Sequence, residues 1–251
     1  MWRPEEPVDL PVSGRVFTAS RRVRLGDVTP KGRLRLDATA RYLQDIANDD
    51  AVDGTFSDIH GWVVRRTELW VHQFPVYMHD VQLQTWCGGY GSHWAERRTR
   101  ITSDDGGLIE AAALWVHVDM QTMKPTPLPE DFFALVHESS GGRKIRANLA
   151  IGKSLPPLDD PGAVSEEWQV RFADIDAVGH LNNASYWIAL EEYLSQHSGR
   201  RAPMHATVEH HLPIDPGQRV RIVTQELPER TVLRHVINAT DVAAVTQIVA
   251  L

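Results

Sequence analysis

Residues Val170–Glu192 read VRFADIDAVGHLNNASYWIALEE, and their reading decides the fold. Val170 and Phe172 alternate with Gln169 and Arg171, which predicts a short apolar strand. Two acids follow, Asp174 and Asp176, then Gly179 and His180. Asn182 or Asn183 supplies the side chain that a helix N-cap prefers. From there Ala184, Trp187, Leu190 and Leu194 recur at helical spacing, with Ser185, Glu192 and Gln196 on the other face. An acid and a histidine thus sit in the turn that leads into a buried helix. A helix N-terminus offers unpaired N–H groups and partial positive charge, and Gly179 lets another group approach the backbone. Such a place polarises a carbonyl with a general base or nucleophile beside it.

The same order occurs earlier in the chain. Val23-Arg24-Leu25-Gly26-Asp27 aligns with Val170-Arg171-Phe172-Ala173-Asp174 at an offset of 147 residues, which also matches Gly32 with Gly179 and Leu34 with Leu181. After a short insertion in the first copy, Tyr42 matches Tyr186. Thr29 stands where Asp176 stands, and Arg33 where His180 stands. The first copy has the scaffold of the turn without its acid or histidine, so one chemical site is expected, in the second copy.

Around the first copy, Val16–Leu25 reads as a strand, and Leu36, Ala40, Leu43, Ala47 and Ala51 mark an amphipathic helix ending before Gly54. Asn48, Asp49 and Asp50 fall late in that helix, where negative charge opposes the dipole and polar groups could line a cavity. Four strands follow, at Trp62–Phe74, Val81–Cys87, His93–Thr102 and Leu108–Asp119, the last the most apolar and expected to be central. Glu130–His137 reads as a short helix and Ser139–Gly142 as a flexible break. After the second helix come Ala206–Leu212, Val220–Leu227, Thr231–Ala239 and Ala243–Leu251. The division is 15–137 for the first domain, 138–165 for a proline-rich linker and 166–251 for the second.

The string D-x-D-x-x-G-H-x-N-N-x-x-Y resembles the catalytic turn of hotdog-fold thioesterases. RLRLDATARYLQDIAND (residues 33–49), HGWVVRRTELWVHQFPVYMHDVQLQTWC (60–87) and LPPLDDPG (155–162) sharpen this to the acyl-acyl-carrier-protein (acyl-ACP) thioesterases. The resemblance implies an α+β chain of two tandem hotdog domains, each an antiparallel sheet wrapped around a central helix. It implies hydrolysis of the thioester joining a fatty acyl chain to ACP, with the acyl tail in the N-terminal domain and the chemistry in the C-terminal one. Carried over, the family's Asp-x-Asn-x-His finds Asp176 and His180, with Val178 in place of the Asn. Its further acid and its cysteine on the next strand fall on Pro213 and Ile214, so His210, His211 or Asp215 are candidate substitutes.

The expected roles follow. Asp176 activates a water or attacks the carbonyl, His180 orients the acid or substrate, and Asn182 hydrogen-bonds at the same turn. Backbone N–H groups of the turn at Gly179–Leu181 hold the carbonyl oxygen. An acyl-CoA thioesterase and a non-catalytic acyl-binding protein are the alternatives. A dehydratase would need a His-plus-acid pair on the helix itself, which is not found.

Composition bounds the rest. The 251 residues are 42% apolar and 24% charged with a formal net charge of −7, which argues against nucleic acid as a main partner. No window is apolar enough for a membrane span, and no N-terminal targeting pattern is read, so a cytoplasmic protein is expected. Cys87 is alone and reads as a packing residue on a strand. His205, Glu209, His210 and His211 share one strand and split between its faces, so no metal and no cofactor are expected. Trp62, Trp70, Trp86 and Trp115 read as core, with one or two lining an acyl pocket. Arg143, Lys144 and Arg146, or Arg200 and Arg201, are candidate basic patches for an acidic carrier. The sequence leaves a homodimer open.

Overall fold

A computed structural model describes residues 7–54, 61–149, 151, 155–197, 199 and 201–251. The chain is α+β, with ten described strands forming one antiparallel sheet. Strand β1 (Phe17–Arg22) precedes helix α1 (Leu36–Asp53), and β2 (Trp62–Gln73), β3 (Asp80–Tyr90), β4 (Trp94–Ser103) and β5 (Leu108–His117) follow. Helix α2 (Glu130–Ser140) leads through the linker to β6 (Ala163–Trp168) and then α3 (Tyr186–Gln196). Strands β7 (Met204–His210), β8 (Val220–Leu227), β9 (Arg230–Ile237) and β10 (Asp241–Ala250) complete the sheet.

The strand order is β1-β3-β4-β5-β2-β7-β10-β9-β8-β6. Each half therefore runs in the same internal order, and the two meet where β2 pairs with β7, Arg66 opposite Glu209 and Trp70 opposite His205. Strands β2 and β7 hold the centre, while β5 lies between β4 and β2 rather than in the middle.

Helices α1 and α3 pack against each other, and a shared core joins them to both halves of the sheet. Tyr42, Leu43 and Ile46 enter it from α1, Trp187 and Leu190 from α3, and Leu69 and Val208 from the paired central strands. Burying each large apolar side chain contributes roughly 1.5–3 kcal/mol, so the helix pair and the sheet hold one another in place. The acids late in α1 are neutralised by arginines: Asp50 meets Arg15 at 2.7 Å and Arg97 at 2.5 Å.

Three local expectations are corrected. Val170 and Phe172 do not form a strand; Phe172–Asp174 is a 3-10 turn with Phe172 96% exposed, and the strand is Ala163–Trp168. Helix α2 continues through Ser139 and Ser140, both buried, and ends on Gly141 in the left-handed region (φ +56°) instead of breaking at Ser139. Helix α3 begins at Tyr186 with Ser185 in the N-cap position, because Asn182 and its neighbours form a separate turn before it.

Candidate functional site

The turn that carries the site is fixed from below by Asp174. Its buried carboxylate accepts the Arg171 N–H at 2.9 Å and two guanidinium N–H groups at 3.0 and 2.7 Å. Burial pushes the Asp174 carboxyl up, but the Arg171 contacts outweigh it and hold the group below the usual range. Asp174 is thus a fastener of the turn. Gly179, at φ +94°, closes it: its N–H donates to the Asp176 carbonyl at 3.0 Å, and the Asp176 N–H donates to the His180 carbonyl at 3.1 Å.

Asp176 is held by two donors. The Val178 N–H reaches Oδ1 at 2.9 Å and the Asn182 amide reaches Oδ2 at 3.1 Å. Asn182 in turn accepts the Ala184 N–H at 2.8 Å and the Gln44 amide of α1 at 3.2 Å. Val178 therefore does orient the acid, through its backbone, and the residue is 76% exposed. His180 is committed elsewhere, with Nδ1 2.8 Å from Asp215 Oδ1. Both are about half exposed, and the Asp215 N–H is itself tied to Gln218 at 2.8 Å.

The three candidate substitutes separate. Asp215 reaches His180, as above. His210 lies beneath the site, edge-on to the Tyr186 ring at 4.8 Å, with His235 of β9 at 5.0 Å from the same ring. Burial pulls both imidazoles down to about 3, so they are neutral. Burial, and after it the negative charge of Asp176, raises the Tyr186 hydroxyl, which places that ring within the field of the acid. His211 is on the linker side, 3.9 Å from Glu209, whose carboxylate takes the Ile151 N–H.

The expectation for the carbonyl oxygen is corrected at Gly179 and Leu181. The Gly179 N–H is spent on Asp176 and the Leu181 N–H on the Ile214 carbonyl at 2.9 Å. The His180 N–H has no acceptor among the described residues, and a further open donor is found by comparing the two copies. Hydrogen bonds repeat at the offset of 147: Thr29 N–H to Arg33 matches Asp176 to His180, Gly32 to Thr29 matches Gly179 to Asp176, and Arg35 to Asp27 matches Asn182 to Asp174. At the next residue the copies part. Leu36 N–H donates to Glu191 Oε1 at 2.6 Å, whereas no acceptor among the described residues takes the Asn183 N–H. In the first copy a carboxylate of the chain itself occupies the place that the second leaves open.

Asn183 and Ala184 line a cavity of about 30 Å³ that runs between α1 and the first half of the sheet. It shares the walls Arg97 and Trp115 with a second cavity of about 100 Å³, bounded by Asp50, Trp62, Trp86 and Phe132. Abutting at those two side chains, they mark out a path from the turn into the N-terminal half, here termed the tunnel. Asn48 and Asp50 line it, as their position late in α1 suggested. Of the four strand tryptophans, Trp62, Trp86 and Trp115 line it, while Trp70 packs on the His205 ring at 4.8 Å. Cys87 is also in its wall, its thiol pushed up to about 11 by burial and so poorly suited to attack.

Gln44, Arg97 and His235 were not singled out from the sequence. None carries a local signal, because each reaches the site from a different element of the fold. Of the basic candidates, Arg143 is engaged with Glu96 at 2.8 Å and Lys144 lies over the Tyr90 ring at 3.9 Å. Arg146 is exposed, and Arg200 lies outside the described residues. Among the described residues the one gathering of metal-type ligands is His79, Asp104 and Asp105, at the turns after β2 and β4. No helix among them is long and apolar enough to cross a membrane.

The turn holds a carboxylate next to an open backbone donor whose residue lines a cavity, an arrangement able to polarise a carbonyl and activate water. Residues 14–136 match the family model of the acyl-ACP thioesterase N-terminal domain, and residues 160–249 that of the acyl-ACP thioesterase C-terminal domain. The chain belongs to the acyl-ACP thioesterase family, a family of thioester hydrolases. An uncharacterized protein of Mycobacterium tuberculosis is 29% identical over 240 residues, covering 94% of this chain and 93% of that protein. The fold is shared with an acyl-ACP thioesterase of Bacteroides thetaiotaomicron (TM-score 0.74, 17% identity, 93% of this chain and 97% of that one). It is also shared with a 12:0-ACP thioesterase of Umbellularia californica (TM-score 0.73, 19% identity, 94% and 97%).

Proposed function

We propose that this protein hydrolyses fatty acyl thioesters of ACP, with Asp176, His180 and Asn182 as its catalytic set. The observation that carries the proposal is the pairing of a fixed Asp176 carboxylate with the open Asn183 N–H at the tunnel mouth. The thioester carbonyl accepts from Asn183 at the positive end of the turn and helix. Asp176 draws a proton from water as the water oxygen adds to the polarised carbon. By the direct route the carboxylate itself adds, the thiolate leaves and water then hydrolyses the mixed anhydride to regenerate Asp176. On the first route, collapse of the tetrahedral adduct breaks the C–S bond, and the departing sulfur takes the proton that Asp176 gained, while His180, its Nδ1 held by Asp215, orients the substrate.

The non-catalytic alternative rests on the absent family Asn and distal acid. Here the Val178 N–H and Asp215 offer equivalent contacts to Asp176 and His180, which favours the enzyme. Each half is read as one hotdog unit, residues 15–137 and 163–251, the second starting at β6 because that strand pairs with β8. The repeated strand order supports this reading. We also place the protein in the cytoplasm, a reading that the free Cys87 thiol and a carrier-protein substrate support.

Release of thiol from a panel of acyl-ACP and acyl-CoA thioesters tests the proposal. Turnover of acyl-ACP that exceeds acyl-CoA and disappears in Asp176→Asn is expected. Full activity in that variant would sink the mechanism, and equal turnover of both carriers would sink the choice of ACP.

A further inference from the structure

Resting on the hydrolase reading of the tunnel, the polarity of its walls says what kind of acyl chain it takes. One face of α1 forms its floor, from Ala40 through Gln44 and Ala47 to Ala51. That run is about 16 Å at 1.5 Å per residue, which an extended alkyl chain spans with roughly a dozen carbons at ~1.25 Å each. A plain hydrocarbon asks for apolar walls along the whole length. Here the junction of the two chambers is polar. The Trp115 indole N–H is buried there and has no hydrogen-bond partner among the described residues. Beside it is the Arg97 guanidinium, whose N–H groups hold Asp50 at 2.5 Å and the Thr85 hydroxyl at 3.3 Å. The chamber beyond is bounded by Arg15, Asp50, Glu96 and Arg97 as well as by its aromatic rings.

We infer that the acyl chain accepted here carries an oxygen acceptor, a hydroxyl or carbonyl along its length, received at this junction by Trp115 and Arg97. Both are donors, so the complementary group is an oxygen with lone pairs. A methylene at the same point would leave the indole N–H unpaired and strip water from the Arg97–Asp50 pair, both unfavourable. A site built to hydrogen-bond a substrate oxygen discriminates strongly against the analogue that lacks it.

Calorimetric titration of the full chain with dodecanoic acid and a series of hydroxydodecanoic acids, hydroxylated from mid-chain to the far end, tests this. At least one hydroxy isomer is expected to bind about tenfold or more tighter than dodecanoic acid. Trp115→Phe should remove that advantage, bringing the affinities of the hydroxy isomer and of dodecanoic acid to within about threefold of each other. If no hydroxy isomer binds more tightly than dodecanoic acid, or if Trp115→Phe keeps the preference in a cooperatively melting protein, the inference fails. Should the variant not fold, the wild-type series decides alone. Turnover is measured separately. Hydroxy-acid selectivity without thioester hydrolysis would sink the hydrolase reading and keep the tunnel assignment, and hydrolysis without selectivity would do the reverse.

Discussion

The turn at Arg24–Leu36 and the turn at Arg171–Asn183 have the same backbone and differ in what meets their last N–H group. Both carry an Arg-to-Asp fastener, a glycine with positive φ and a one-residue bridge, Val28 to Leu34 and Ile175 to Leu181. In the first, Thr29 replaces the acid, and a bidentate Arg33–Glu191 pair closes the place where a substrate oxygen would sit. In the second, Asp176 is present and Asn183 is open. On the proposed mechanism, what fills the donor beyond the turn, rather than backbone geometry alone, makes the site.

The largest expected effect breaks the comparison from the catalytic side. Asp176→Asn should fold normally and lose about 10²-fold or more in turnover, the scale of a missing general base. The reverse transplant, Thr29→Asp, should add no activity while the Arg33–Glu191 pair closes the first turn and Glu191 holds Leu36. A gain measured in the Asp176→Asn background would show that the plug is not what silences the first copy.

Removing the plug is a stability experiment. Glu191→Gln leaves Arg33 with half its partner and should cost roughly 1–3 kcal/mol, below the value for a fully buried pair because Arg33 is partly exposed. At roughly 2–4 °C per kcal/mol for a chain of this size, the loss is visible in a thermal melt, with turnover per folded molecule retained.

Acid should also act on stability, through the layer beneath Asp176. His210 and His235 sit at about 3 in the folded chain, against an ordinary value near 6.5 when unfolded. Between these values the unfolded state binds more protons, so stability is full above about 6.5 and falls as the pH drops toward 3. Each imidazole contributes a slope of up to about 1.4 kcal/mol per pH unit. His235→Phe should flatten the acid limb of a denaturation series; an unchanged limb would refute the assignment.

Two smaller effects sharpen the second turn. Asp215→Asn should lower turnover several-fold, on the order of tenfold at most since the His180 pair is half exposed, with KM little changed. Val178→Ala should stay within about threefold of wild type, because the acid is held by the backbone N–H. Val178→Pro, which lacks that N–H, should fall well below it.

Much of this was legible in the sequence because it is local. The acid, the glycine, the histidine and the repeat are all read within short windows, and helix spacing marks Ala184, Trp187, Leu190 and Leu194 as buried. Strand β6 was misplaced for a physical reason. It is the edge of the sheet, its residues are mostly exposed, and it lacks the alternation that reveals a half-buried strand. Val178 looked like a loss because a side chain was sought where a backbone group serves. The Asp215–His180 contact spans 35 residues and Gln44–Asn182 spans 138, and pairings at such distances leave no periodic trace.

The β2–β7 seam has a consequence for how such an asymmetry can arise. In a symmetric pair of separate chains, every substitution appears twice, so a carboxylate that closed one site would close its twin. Once the seam runs inside one polypeptide, with Arg66 facing Glu209 and Glu68 reaching His205 at 3.2 Å, each copy inherits its changes alone. One can be sealed and hollowed into a container while the other keeps its reactive group.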